Sequence, residues 1–281
     1  MADMTTIPFA PTLTARPSPE GPLFANVLCG VDGTRSSYAA VSQAAALAGP
    51  GATLTLLVVT AAAGAMHGAV VGEKRTETIL DHARLLASEQ GVESATRVDD
   101  GPSAVDALIA ATRTHDLLAI GAPTVLRFVP GSVALAALHT CSTPLLLARR
   151  MPAATAFMKQ IVVASDGAED SDRVVELACR LARRNEARLT LVHAHGSTDH
   201  SRSDRLESQM RTVEAEGHEI RTALERARRL IVDTAVDLDA SLVVLGTRRP
   251  PTHRPFGSVS EYVLRHVRCS VLAVPPTPAA R

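Results

Sequence analysis

Two recurring stretches carry the residue types that can do chemistry. Gly246 to Ser260 reads GTRRPPTHRPFGSVS; it begins where an apolar run, Leu242 to Leu245, ends, and it closes on Gly257-Ser258 just before a helical pattern, Val259 to Val267. A strand, a loop and then Gly-Ser opening a helix form an anion cradle. The first backbone N–H groups of the helix have no partner within it, and the positive end of its dipole faces the loop. Arg248, Arg249 and Arg254 add cations. Leu117 to Ile120 runs likewise into GAPTVLRFVPGSVA, Gly121 to Ala134, whose one cation is Arg127. The other stretch is an aspartate–glycine step behind an apolar strand: Asp32-Gly33 in VLCGVDGTRSS and Asp166-Gly167 in IVVASDGAEDS. Asp-Gly is also a common turn pair, loop glycines also merely end strands, and arginines are often solvated surface charge. At this level a turn role and a ligand role both stand.

The elements that must position these residues alternate strand and helix. Asn26 to Val31 is a buried strand; Ser36 and Ser37 can cap a helix with apolar positions Val41, Ala44, Ala45 and Leu47, which Gly49-Pro50-Gly51 stops. Strands follow at Leu54 to Val59, Ser94 to Val98, Leu117 to Ile120 and Leu145 to Ala148. The helices between them are Glu73 to Glu89, Ala104 to Ala111 and Ser132 to His139. The order then restarts. Residues 27–37 align with 161–171, 52–59 with 187–194, 116–121 with 240–246, and GSVALAALHTCSTPLLLA (131–148) with GSVSEYVLRHVRCSVLAV (257–274). The second copy adds a helix at Asp204 to Glu216, a strand at Glu219 to Ala223 and a helix from Arg226 to Val236. Such alternation with near-continuous apolar strands predicts an α/β fold: two repeated doubly wound domains, each with a five-stranded parallel sheet. The ligand crevice of such a sheet lies past the carboxyl ends of its strands, where Asp32, Asp166, Gly121 and Gly246 all fall. The final strands, Leu145 to Ala148 and Val271 to Val274, each have an apolar edge to cover, and are expected to pair with each other.

Composition narrows the function classes. Apolar residues make up 46 % of the 281, enough for a packed core, and the formal charge is zero, so nothing draws the chain to nucleic acid or an anionic membrane. Aromatic residues are 2 %, with no Trp, which removes the stacking platforms of a single-strand binder. Cys29, Cys141, Cys179 and Cys269 sit in apolar runs without CxxC spacing, as reduced thiols of a cytoplasmic protein would. No apolar run reaches the roughly 20 residues of a membrane helix, and no secretory signal pattern opens the chain. His193, His195 and His200 are close in sequence, but no Cys or carboxylate is fixed beside them, so no metal is expected. No nucleophile is fixed next to a base, GxGxxG and GxxxxGK[ST] are absent, and no catalytic residue is assigned.

The strand-Asp-Gly starts VDGTRSS and SDGAEDS, and above all GSVSEYVLRHVRCSVLAV, resemble the universal stress protein family in its tandem two-domain form. The likeness spans about residues 24–148 and 159–275. It implies domains at 23–149 and 159–276, with a 150–158 linker and a short tail at 277–281, while Pro8, Pro11, Pro17, Pro19 and Pro22 mark residues 1–22 as a disordered tail. It also implies an ATP site, with Mg²⁺ as an optional companion. The aspartate after the first strand would bind adenine, a small apolar residue ending the second strand would pack on it, and a loop of Gly, two residues, Gly, nine residues, Gly-Ser/Thr would hold the phosphates. Carried over, the second half offers Asp166, Ala194, Gly246, Gly257, Ser258 and Val259; the first offers Asp32, Val59, Gly121, Gly131, Ser132 and Val133. Both halves depart from that pattern: the second Gly is Arg249 or Thr124, and the spacers are seven and six residues. A Cβ there hinders close backbone approach to phosphate, while Arg248, Arg249 or Arg254 can substitute charge-assisted contacts. The resemblance thus implies a non-enzymatic, regulatory, nucleotide-binding stress protein, with weak ATP hydrolysis left open. Its partners would be an adenine nucleotide and its own other half in an intramolecular pseudo-dimer, with a homodimer also open, and neither nucleic acid nor membrane. The alternatives are an interaction module of the same fold that has lost its ligand and, further off, an adenylating enzyme of a related fold, against which the missing SGGxDS-type loop counts. Nucleotide is expected in the second half rather than the first.

Overall fold

The computed structural model describes residues 21–60, 73–122, 133–149, 157–194, 200–223, 226–247 and 258–276. Its first half runs β1 (Asn26–Gly30), α1 (Arg35–Ala48), β2 (Thr53–Val59), α2 (Glu73–Ser88), β3 (Glu93–Asp99), α3 (Ala104–Ala111), β4 (Leu117–Gly121), α4 (Val133–Thr140) and β5 (Leu145–Ala148). The second repeats it as β6 (Gln160–Ala164), α5 (Glu169–Asn185), β7 (Arg188–Ala194), α6 (His200–Ala215), β8 (Glu219–Ala223), α7 (Ala227–Asp237), β9 (Leu242–Gly246), α8 (Ser258–His266) and β10 (Ser270–Val274). The proline-rich residues 1–20 and most of the linker lie outside the described residues.

Local chemistry sets the helix ends. Thr34, two residues before the first of the expected capping serines, caps α1 by accepting the Ser37 N–H, and Gly49 at φ 70° closes it in a conformation an L side chain rarely adopts. The first turn of α5 carries Glu169, Asp170 and Asp172, and its last turn Arg183 and Arg184. Both groups oppose the helix dipole, each worth about 0.3–1 kcal/mol. The buried stripe of α5, Val174, Val175, Ala178, Leu181 and Ala182, keeps helical spacing.

Ten strands form one sheet in the order β3-β2-β1-β4-β5-β10-β9-β6-β7-β8. Within each half all pairings are parallel. The halves meet where β5 and β10 run antiparallel, with Leu147 opposite Val271 and Leu146 opposite Leu272. The final strands therefore cover each other's edges, as their apolar sequences require. Leu146, Leu147, Val271 and Leu272 are fully buried. At about 1.5–3 kcal/mol for each such side chain, this seam is a core and not a surface contact. One core layer lies between the sheet and α1, α2, α5 and α6, the other between the sheet and α3, α4, α7 and α8, and both span the two halves. The chain order reverses between β1 and β4, and again between β6 and β9. The crevices open at the carboxyl ends of those strands.

Candidate functional site

Both crevices exist, and they are unequal. The second-half cleft has a volume of about 270 Å³ and includes Asp166, Ala194, Gly246 and Val259 in its lining. The first-half cleft, lined by Asp32, Val59, Gly121 and Val133 among others, has about 120 Å³. Small-molecule sites usually enclose about 300–1,000 Å³; the second cleft approaches that range and the first does not. Ser258 is the first residue of α8. Gly131, Ser132, Arg248, Arg249, Arg254 and Gly257 lie outside the described residues.

The difference has a local cause. The same framework position is Leu108 in α3 and Ile231 in α7, each lining its cleft. In the first half Leu108 presses over Gly30, where an added Cβ would stand 3.1 Å from Leu108 Cδ2. The second half has Ala164 at the matching place. The first turn of α1 also sits directly on the end of β4: a Cβ on Gly121 would come within 2.4 Å of the Ser36 carbonyl carbon and 2.5 Å of the Ser37 nitrogen. Among the described residues, a Cβ on Gly246 would meet only Val174 Cγ2, at 3.5 Å. The start of α5 thus stands off β9 and leaves the cleft open, while α1 fills the matching space.

Both aspartates serve their turns. Asp32 Oδ1 accepts from the Thr34 N–H at 2.9 Å and from the Thr34 hydroxyl at 2.7 Å. Asp166 Oδ1 accepts from the Ala168 N–H at 3.0 Å and from the Ser171 hydroxyl at 2.8 Å. The turn reading is therefore correct for each, and it fixes the carboxylate at the cleft wall instead of excluding it from one. Gly33 and Gly167, at φ 80° and 71°, make the turn possible.

Below the second cleft lies a polar chain that sequence reasoning missed. Ser165 Oγ donates to Gln209 Oε1 and accepts from the Gly167 N–H at 3.1 Å. Gln209 Nε2 donates to Asp172 Oδ1 at 2.6 Å, and Arg205 Nη1 donates to Asp172 Oδ2 at 2.6 Å. The turn carrying Asp166 is thereby tied to α6. The first half has Val31 where the second has Ser165, and packs Ile79 of α2 under the turn instead. Ser165, Ser171, Thr247 and Ser260 give the second cleft hydroxyls that the repeat alignment did not single out. Ser260 Oγ donates to Gly246 O at 3.1 Å and fixes the start of α8 to the end of β9. Asp170 adds a second carboxylate to the lining, and the other walls, among them Ala164, Val192, Ala194, Ile231 and Leu245, are apolar. A flat apolar group with a polar rim suits this lining. Three helices, α5, α7 and α8, begin at its mouth. The acids of α5 occupy its own dipole, whereas no side chain among the described residues caps α7 at Arg226.

His193 lies on β7, with Nδ1 3.0 Å from Ser165 O. Among the described residues no three His, Cys, Asp or Glu side chains are grouped to hold a metal ion. All four cysteines are buried, and none is in a disulfide. No helix among the described residues is long and apolar enough to cross a membrane.

The family model "Universal stress protein family" matches residues 24–149, 158–230 and 197–275. The chain belongs to the universal stress protein family. A Staphylococcus saprophyticus protein described as a universal stress protein is 29 % identical over 138 residues, 41 % of this chain and 83 % of that one. The crystal structure of a universal stress protein from Archaeoglobus fulgidus superposes with a TM-score of 0.72 at 18 % identity, covering 91 % of this chain and 97 % of that chain. A universal stress protein structure from Pseudomonas aeruginosa gives 0.67 at 20 % identity over 90 % and 94 %. The cytoplasmic domain of a prokaryotic cation chloride cotransporter gives 0.57 at 13 % identity over 89 % and 94 %. The fold of this universal stress protein is thus found in a transporter domain as well, and function must be argued from the site.

Proposed function

We propose that this universal stress protein is a non-catalytic regulator that binds an adenine nucleotide, ATP or a relative of it, in the second-half cleft, acting in the cytoplasm. One observation carries the reading: of two clefts descended from the same repeat, the second, behind Asp166, is more than twice as large, about 270 Å³ against about 120 Å³. The base would lie against Ala194, Val192 and Ile231. The Asp166 carboxylate would accept from the base or ribose, and the N-termini of α7 and α8 would face the phosphates. Arg248 and Arg249 would supply the charge that the altered glycine pattern withdraws, with Mg²⁺ as a companion of the phosphates. The first half, with Leu108 and α1 in the way, would be structural.

The test is the nucleotide content of protein purified without added ligand, released by acid and identified by mass spectrometry. About one adenine nucleotide per chain, lost in Ile231→Trp, supports the reading. Protein free of nucleotide that also fails to take up millimolar ATP points to the interaction module, for which the cotransporter domain of the same fold is a precedent in shape.

A further inference from the structure

The seam between the halves carries a polar network without a mirror image. Arg149, the residue after β5, is fully buried. Its Nη1 donates to Cys269 O at 2.7 Å, and its Nη2 donates to Leu264 O in the last turn of α8. Its backbone N–H donates to Ser270 Oγ at 2.9 Å, and its carbonyl accepts from Gln43 Nε2 at 2.8 Å. Ser270 Oγ in turn donates to Gln43 Oε1 at 2.6 Å, closing the ring. Gln43 and Ser270 are buried as well, so the groups depend on one another.

The repeat alignment gives the mirror positions. Arg149 corresponds to Pro275, Ser270 to Pro144 and Gln43 to Leu177. A proline has no N–H and no hydroxyl, and a leucine has no amide. Each element of the network is therefore missing from the other side. The helix ends that meet across the seam are unlike too. Arg184, in the last turn of α5, fills the space left by Gly49 at the end of α1: a Cβ there would lie 1.6 Å from Arg184 Nη2. The guanidinium thus lies at the negative end of α1.

We infer that this seam is a partner-selective surface: the Gln43–Arg149–Ser270 ring and the Gly49–Arg184 fit admit only the unlike half, so each half recognises the other and not a copy of itself. Two first halves joined through β5 would set the Arg149 N–H and the Gln43 amide against Pro144, leaving buried polar groups unpaired on both sides, with a void between two glycines. Two second halves would set Ser270 against Pro275 and bring two Arg184 side chains together. Each buried group left unpaired weakens a pairing by a factor of about ten. With two such groups, like pairs should be about 100-fold rarer than unlike pairs. Every assembled molecule then carries one wide and one narrow cleft in fixed ratio.

The test begins with the full chain carrying a site-specific protease sequence between residues 151 and 156. The folded protein is cut, unlabelled and ¹⁵N-labelled batches are mixed, unfolded together in urea and refolded, and the pairs are weighed by native mass spectrometry. The expected products are first–second pairs in both label combinations, with like pairs about 100-fold rarer. In Gln43→Leu with Ser270→Ala, the discrimination should fall at least tenfold, because both groups of a buried contact are replaced by apolar ones. Like pairs of comparable abundance would overturn the inference. So would unchanged discrimination in the variant, or fragments that separate or aggregate, since a seam that needs the covalent joint selects nothing.

Discussion

Gly121→Ala and Gly246→Ala make a matched pair, because the two glycines end equivalent strands and differ in what lies above them. A Cβ at 121 would stand 2.4 Å from a backbone carbon of α1 and 2.5 Å from a backbone nitrogen. That is roughly 1 Å inside the ~3.5 Å of ordinary contact. Neither atom can rotate aside, so the start of α1 must move off β4. Overpacking of this kind costs about 1–3 kcal/mol, and the reduced freedom of the unfolded chain returns about 0.4–1 kcal/mol. The net loss is about 1–2 kcal/mol, which lowers Tm by roughly 2–8 °C in a chain of this size. At 246 the added methyl would meet one side-chain carbon at ordinary contact distance. Tm should there hold or rise by about 1–3 °C. Thermal unfolding followed by far-ultraviolet circular dichroism, with urea midpoints as a second reading, measures both. Equal shifts, or a larger loss from Gly246→Ala, would refute the claim that helix position makes the clefts unequal.

Leu108→Ala should destabilise the protein by about 2–5 kcal/mol, as deletion of a buried leucine does, and in doing so should widen the first cleft; a urea midpoint checks the first and a crystal structure the second. The thiols give a pH dependence. Burial, aided by Glu216, pushes Cys179 up to about 11 from the ordinary 9.0, and burial pushes Cys269 up to about 11 against the pull of Arg149. The folded state therefore holds these protons more tightly. Their contribution to stability is complete below about pH 9 and is lost as pH rises from 9 to 11. Urea midpoints should fall across that window, and fall less in Cys179→Ala with Cys269→Ala; an identical fall in both proteins would count against the assignment. Native protein at pH 8 should react with Ellman's reagent far more slowly than protein in urea, because all four thiols are buried.

The elements were legible because the strands are continuous apolar runs and the helices keep their period. Glu219 to Ala223 and Leu145 to Ala148 are strands over those same residues. The internal repeat announced the doubly wound order, and the apolar edges of the final strands announced their pairing. Asp166, Ala194 and Gly246 were legible as neighbours because each ends a strand of one parallel sheet. The contacts made between distant parts of the chain were not. Gln43, Arg149 and Ser270 are spread over more than two hundred positions, and nothing local marks Arg149 as buried rather than as the start of a linker. Ser165 to Gln209 spans a strand and two helices. The narrowing of the first cleft depends on the height of α1 above Gly121, which the sequence expresses only as a glycine identical in type to Gly246.

The central claim is that nucleotide binds in the second half. Asp166→Asn keeps an Oδ1 for the Ala168 and Ser171 contacts while removing the charge, and Asp32→Asn does the same for the Thr34 contacts. Isothermal calorimetry with ATP and Mg²⁺ should give about one site per chain in the unchanged protein. Affinity should fall about tenfold or more in Asp166→Asn, the loss of a charge-assisted hydrogen bond, and stay within about twofold in Asp32→Asn. Two sites per chain, or a loss confined to Asp32→Asn, would contradict the account.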